Sequence, residues 1–165
     1  LSGFGPRLLA SDPFLPADLV RDGGAEPVTL DDLFRTADVI TLHAPGGQQL
    51  VDADRLSGMR PGTVLVNTAR GDLVDELAVA DALRDGILAG YAADTLDGDT
   101  AAHDSPLLAA DLADRVIVTP HLGAQTTQAV DNMGALSLDD VIAVLRGADP
   151  AHLVPVPASA PEENR

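Results

Sequence analysis

The chain has 165 residues with 45% hydrophobic content, which suits one domain with one packed core. Its formal net charge is −16, it has no Lys and no Cys, and its aromatics are only Phe4, Phe14, Phe34 and Tyr91. These facts exclude a disulfide framework, a thiolate nucleophile, a Cys-ligated metal and a Schiff-base lysine, and they argue against nucleic acid and membrane surfaces as partners.

With so few aromatics the core must be built from Val, Leu, Ile and Ala, which suits a sheet covered by helices. No apolar run reaches the roughly 20 residues of a membrane span, and the first residues lack a signal-peptide pattern, so the cytoplasm is the expected compartment. Residue 1 is Leu rather than Met, so the chain is expected to be a fragment, or its start to be lost or trimmed.

In chain order, Arg7 to Ser11 reads as a strand ending at Asp12-Pro13, because the residue before a proline is pushed to extended geometry. Asp22-Gly23-Gly24 is a turn. A helix starts at Thr29-Leu30-Asp31-Asp32 with Leu30, Leu33 and Phe34 on one face. Asp38 to His43 is a second strand, stopped by Pro45-Gly46-Gly47. A short helix from about Asp52 to Met59 and a turn at Arg60-Pro61-Gly62 lead to a third strand, Thr63 to Asn67. Asp75 to Arg84 reads as a helix with Leu77, Ala80 and Leu83 on one face and Gly86 closing it. Leu88 to Ala93 is a fourth strand ending at Asp94, and Arg115 to Thr119 a fifth, ended by Pro120-His121-Leu122-Gly123. A long helix fills Thr126 to Arg146. The tail from Pro150 reads as extended and then disordered.

Continuous apolar strands alternating with helices predict a doubly wound α/β fold with a parallel sheet of about five strands. The expected domain is 1–147, with 148–165 as a C-terminal tail. In such sheets ligands bind outside the carboxyl ends of the strands. The polar residues there are Asp12, His43, Asn67 to Arg70, Asp94 and His121. Asp12 can accept hydrogen bonds from ribose hydroxyls and repel a 2′-phosphate, or simply form a turn before Pro13. Arg70 can hold a carboxylate by two parallel bonds, or sit in a loop as a surface charge. Asp94 can serve a ligand or cap a turn, and His121 can be a site residue or a merely exposed one. His103 and His152 receive no role. A metal site is not expected, since no two His stand at helical spacing.

Four separate strings then carry a resemblance: Thr41-Leu42-His43-Ala44-Pro45, Arg60-Pro61-Gly62-Thr63-Val64-Leu65, Val66 to Glu76 (VNTARGDLVDE), and Thr119-Pro120-His121-Leu122-Gly123-Ala124. In this order and spacing they are similar to the D-isomer-specific 2-hydroxyacid dehydrogenases, from the start of the chain to about residue 156. The resemblance implies a Rossmann-like fold and hydride transfer between NAD(H) and a 2-hydroxy or 2-oxo acid. By position, Arg70 resembles the arginine that binds the substrate carboxylate and polarises the carbonyl. His121 resembles the general acid/base, and Asp99 stands where the family has a Glu that pairs with the histidine. Around the cofactor, Asp12 resembles the ribose-binding acid, which favours NAD over NADP. Thr68 and Ala69, with Asn67, neighbour the nicotinamide half; Asp94 resembles the carboxamide acceptor; His43 and Pro45 resemble the cleft wall; Gly123 and His121 complete the set. Two departures stand out. The loop after Pro45 is shorter than usual by about three residues. The family's glycine-rich phosphate loop would lie just before Leu1, so this chain alone is expected to bind NAD poorly. A homodimer is the expected assembly, as in the family. The substrate stays open among phosphoglycerate, hydroxypyruvate, glyoxylate, lactate and phosphite-like anions. An inactive interaction or dimerisation module on the same fold is the alternative.

Overall fold

The computed structural model describes residues 2–98 and 104–153. Asp99 and the tail from residue 154 lie outside the described residues. The chain forms two compact units, Leu1–His121 and Leu122–Arg165.

The first unit opens with β1 (Leu9–Ala10), α1 (Ala17–Asp22) and β2 (Glu26–Pro27). β1 and β2 pair in parallel, Leu9 opposite Glu26, as a two-stranded sheet of their own. Little in the sequence marks α1 or β2. Only Val20 of α1 is buried, so no apolar repeat betrays the helix, and β2 is two residues long with a proline in it.

The rest of the unit is built around a four-stranded parallel sheet. α2 (Leu30–Thr36) precedes β3 (Val39–Leu42); α3 (Ala53–Ser57) precedes β4 (Thr63–Asn67); α4 (Glu76–Arg84) links β4 to β5 (Leu88–Ala93); β6 (Val116–Val118) follows, and the sheet order is β3-β4-β5-β6. The strands are therefore parallel as expected, but hydrogen bonding divides them into two sheets rather than one of five strands. The helices start where side chains can serve the first turn's unpaired amides. Thr29 accepts from Asp32 N at 3.1 Å, Asp52 from Arg55 N at 2.9 Å, and Asp75 from Ala78 N at 3.0 Å.

Strand alternation sends two sets of side chains to opposite faces. Ile40, Leu42, Leu65 and Tyr91 are buried with Phe34 of α2, Leu56 of α3, and Val79, Ala80 and Leu83 of α4. Leu77 does not join them. It is exposed at the first turn of α4, where the buried set is Val79, Ala80, Ala82 and Leu83, because α4 packs on β5 and α3 with a face one step further round. The opposite sheet face carries Val39, Val64, Val66, Ala92 and Ile117 in register. Val39 and Ile117 there are exposed.

The second unit contains α5 (Thr127–Leu145), capped by Thr126, whose hydroxyl accepts from Ala129 N at 3.1 Å. Beyond the helix Asp140 accepts from Ala151 N at 2.8 Å and pairs with His152 Nδ1 at 3.1 Å, so the described end of the chain is tied back to α5. α5 buries none of its residues.

Candidate functional site

β4 ends in Asn67, which is fully buried. Its amide folds the next three residues into a turn: Nδ2 donates to the Arg70 carbonyl at 2.7 Å, and Oδ1 accepts from Ala69 N at 3.1 Å. A buried amide that satisfies both its ends on local backbone is a rigid corner. Asn67 thus shapes the site from behind, while Thr68 and Arg70 are exposed on its outer side. Arg70 is in extended backbone, and its Nη1 donates to the Ala69 carbonyl at 2.7 Å.

The neighbouring strand ends are tied to this corner. Asp94, buried, donates its N–H to the Asn67 carbonyl at 3.0 Å. Its own carbonyl accepts from His121 N at 2.9 Å, and its carboxylate Oδ1 accepts from the Thr119 hydroxyl. Thr119 N in turn donates to the Ala93 carbonyl at 2.9 Å. A continuous hydrogen-bonded path therefore runs from the Arg70 turn through Asn67 and Asp94 to His121. His121 has φ 53°, the only left-handed non-glycine residue among those described. That conformation costs about 1 kcal/mol or more, is tolerated best by Asn, Asp and His, and persists when the surroundings hold it. Here its N–H is shared between the Asp94 and Thr119 carbonyls, the latter at 3.0 Å.

Across from the turn, His43, Ala44, Pro45 and Gly46 face Thr68, Ala69 and Arg70 over an open cleft of about 500 Å³. The His43 ring is turned back onto Thr41, with Nε2 3.0 Å from the hydroxyl. The wall is stitched to the segment after Arg70. Gly47 N donates to Asp72 Oδ2 at 2.6 Å, and Leu50 N and Val51 N both donate to the Leu73 carbonyl. Gly71 sits where a Cβ would overlap the backbone of Leu96 and Asp97. Glu76 holds that same segment by accepting from Asp97 N at 2.8 Å and from the Ser105 hydroxyl at 2.5 Å.

His43, Asn67, Thr68, Ala69, Arg70, Asp94 and His121 thus belong to the carboxyl ends of β3 to β6. Asp12 ends a strand of the separate pair, and its Oδ1 accepts from Phe14 N at 2.7 Å and Leu15 N at 3.2 Å. Gly123 belongs to the second unit. Asp72, Thr119 and Glu76 are not singled out by the sequence reading, although all three lie within the quoted strings. A polar residue next to a strand end is the signal for Thr119. Nothing local marks Asp72, whose partner is 25 residues away. Among the described residues no group of three acids or histidines could hold a metal.

The lining of the cleft is compatible with a nucleotide cofactor. The cleft has an apolar wall in Ala44, Pro45 and Ala69 and polar strand-end groups in Thr68 and Arg70, the mixture expected of a cofactor site. At Gly46, a Cβ would meet Asp72 Oδ1 at 2.9 Å and Arg70 Cγ at 3.1 Å, so the wall lies against the Arg70 turn there.

The chain is 32% identical over 160 residues to D-3-phosphoglycerate dehydrogenase of Archaeoglobus fulgidus, an alignment covering 95% of this chain and 30% of that protein. It is 35% identical to D-lactate dehydrogenase of Leuconostoc mesenteroides, covering 92% and 49%. Among solved structures, a D-lactate dehydrogenase of Treponema pallidum superposes with a TM-score of 0.80 at 32% identity, covering 94% of this chain and 50% of that one. The Aquifex aeolicus D-lactate dehydrogenase complexed with NAD and lactic acid gives 0.79 at 30% identity, covering 88% and 48%. The chain spans 30% to 50% of the length of these relatives. Residues 1–123 match the family model described as D-isomer specific 2-hydroxyacid dehydrogenase, NAD binding domain, and the chain belongs to that family.

Proposed function

We propose that the protein transfers hydride between NAD(H) and a small 2-hydroxy or 2-oxo acid, with Arg70 and His121 acting on the acid. The observation that carries this is the hydrogen-bonded path from the Arg70 turn through Asn67 and Asp94 to His121. It supports the reading because it holds the backbones of Arg70 and His121 at one edge of one sheet. NAD supplies or accepts the hydride when bound. Arg70 presents a planar fork that matches a carboxylate. His121 exchanges the proton that must move to or from the substrate oxygen as hydride moves at carbon. Asp94 orients the carboxamide of the cofactor, Thr68 and Ala69 flank its ring, and His43 and Pro45 form the wall. Asp12 takes the ribose and Asp99 pairs with His121. The relative solved with NAD and lactic acid supports the cofactor and the class of substrate. A homodimer goes with this reading, supported by apolar side chains that α5 exposes at Val130, Met133, Leu138, Val141 and Val144.

The test is a pair of variants, made in the full-length protein that carries this chain with a phosphate-binding loop. His121→Gln should lower turnover about 10²–10⁴-fold while NADH binding stays nearly constant, because the exchanged proton plays no part in cofactor binding. Arg70→Lys should raise KM for the oxo acid as well as lower turnover, since Lys keeps the charge but not the fork. Full turnover by His121→Gln on every oxo acid tried would remove the histidine from the mechanism.

A further inference from the structure

We propose that Asp72 is a positioning residue: its carboxylate latches the cleft wall at Gly46-Gly47 onto the stem of Arg70 and thereby sets the direction of the guanidinium. This rests on the role given above to Arg70 and adds a residue that the strand-end pattern does not include.

Three observations converge. Asp72 Oδ2 accepts from Gly47 N at 2.6 Å, a short bond from a backbone amide to a carboxylate. A side chain on Gly46 would come within 2.9 Å of Asp72 Oδ1, 3.1 Å of Oδ2 and 3.1 Å of Arg70 Cγ. The wall's backbone therefore lies close to both residues at one point, and a side chain there would displace the Asp72 carboxylate or the Arg70 stem. The 3-10 turn that carries Asp72, Gly71–Leu73, is itself fixed. Leu73 accepts from Leu50 N at 2.8 Å and Val51 N at 2.9 Å, and Val51 accepts from Asp75 N at 2.8 Å. One end of the latch is thus anchored in the core, and the other end is the exposed loop.

The consequence follows from rotamer physics. Arg70 is exposed on a flexible stem, and a long side chain loses binding energy when its fork must be ordered by the ligand. A wall packed on Cγ removes stem rotamers before the ligand arrives. With Asp72 replaced by a residue that cannot accept, the Gly46-Gly47 backbone loses its anchor and Arg70 regains those rotamers.

The experiment uses four single variants and one double, all in the full-length protein that carries this chain with a phosphate-binding loop. Asp72→Ala should raise KM for glyoxylate about tenfold with a much smaller change in kcat, and should speed hydrogen exchange at the Gly47 amide in the protein without substrate. Asp72→Asn keeps an acceptor oxygen and should stay near the parent in both readouts. Gly46→Ala should reproduce Asp72→Ala, and the double variant Gly46→Ala/Asp72→Ala should be little worse than either, because both break one contact. Arg70→Gln separates this from the reading beneath it. If Arg70→Gln raises KM but Asp72→Ala changes neither KM nor Gly47 exchange, the latch is overturned and the Arg70 role stands. If Asp72→Ala speeds exchange and leaves KM unchanged, the positioning role is overturned. If Arg70→Gln itself leaves KM unchanged, the Arg70 role falls, and the functional consequence of the latch falls with it.

Discussion

Tyr91 is the one tyrosine in the chain, and it is buried in β5. Its hydroxyl lies toward Asn67 without closing a hydrogen bond. Burial pushes the phenol up to about 12, with the nearby Glu76 carboxylate adding to the rise and the Asn67 amide opposing it. An unfolded tyrosine titrates near 10, as a rough reference. Below that pH the phenol is protonated in both states and stability does not depend on it. Between about 10 and about 12 only the unfolded chain has lost the proton, so stability falls with rising pH, by up to ~1.4 kcal/mol per pH unit. The absence of Lys leaves little else to titrate there. Tyr91→Phe should abolish this alkaline slope, and it should cost little at neutral pH because the hydroxyl it removes has no partner. Denaturant unfolding across that range, with phenolate absorbance in parallel, checks both; a slope that persists in Tyr91→Phe would place its origin elsewhere.

Of the glycines described, Gly71 in the 3-10 turn lies closest to neighbouring backbone, that of Leu96 and Asp97. A methyl at Gly71 would overlap three backbone atoms, and backbone cannot rotate away as a side chain can. Gly71→Ala is expected to destabilise by about 3 kcal/mol. Gly134, inside α5 with nothing within 4 Å of its missing Cβ, should respond the other way: alanine there raises stability by about 0.5–1 kcal/mol. Thermal unfolding of the two variants gives opposite signs if the two environments differ as described. The same contrast explains what can be read from the residues alone. β3 to β6 are legible because each is an apolar run closed by a turn, and the strand-end row of His43, Asn67, Arg70, Asp94 and His121 follows from those closings. α1 and β2 are not, for want of apolar repeat and length. Spacing puts Leu77 on the buried face of α4, but spacing does not say which of two adjacent faces meets the sheet. The contacts of Asp72 with Gly47, of Thr119 with Asp94 and of Glu76 with Ser105 join segments 25, 25 and 29 residues apart. Such pairings depend on how loops are brought together by the sheet, and no local signal encodes them.

For the molecule as a whole, charge and apolar surface act in opposition. The net charge of −16 repels one copy from another. Against it stand apolar side chains exposed in each unit taken by itself: Val39 and Ile117 on the open sheet face of the first, and Val130, Met133, Leu138, Val141 and Val144 on α5 of the second. α5 adds Asp131, Asp139 and Asp140 to its own surface and contains no basic residue, so two copies meeting through it must overcome like charge at close range. Repulsion between exposed charges is screened over about 10 Å at 0.1 M salt and over about 3 Å at 1 M, whereas burial of apolar area is not weakened by salt. Self-association should therefore strengthen as salt rises, opposite to an assembly held by ion pairs. Sedimentation velocity at about 0.05 M and about 0.5 M NaCl reads this directly. The dimer fraction should grow with salt and with protein concentration, and Val141→Asp should reduce it at both. A dimer that dissociates as salt rises would show that ion pairs hold it; a monomer at every concentration and salt would remove self-association from the account of this protein.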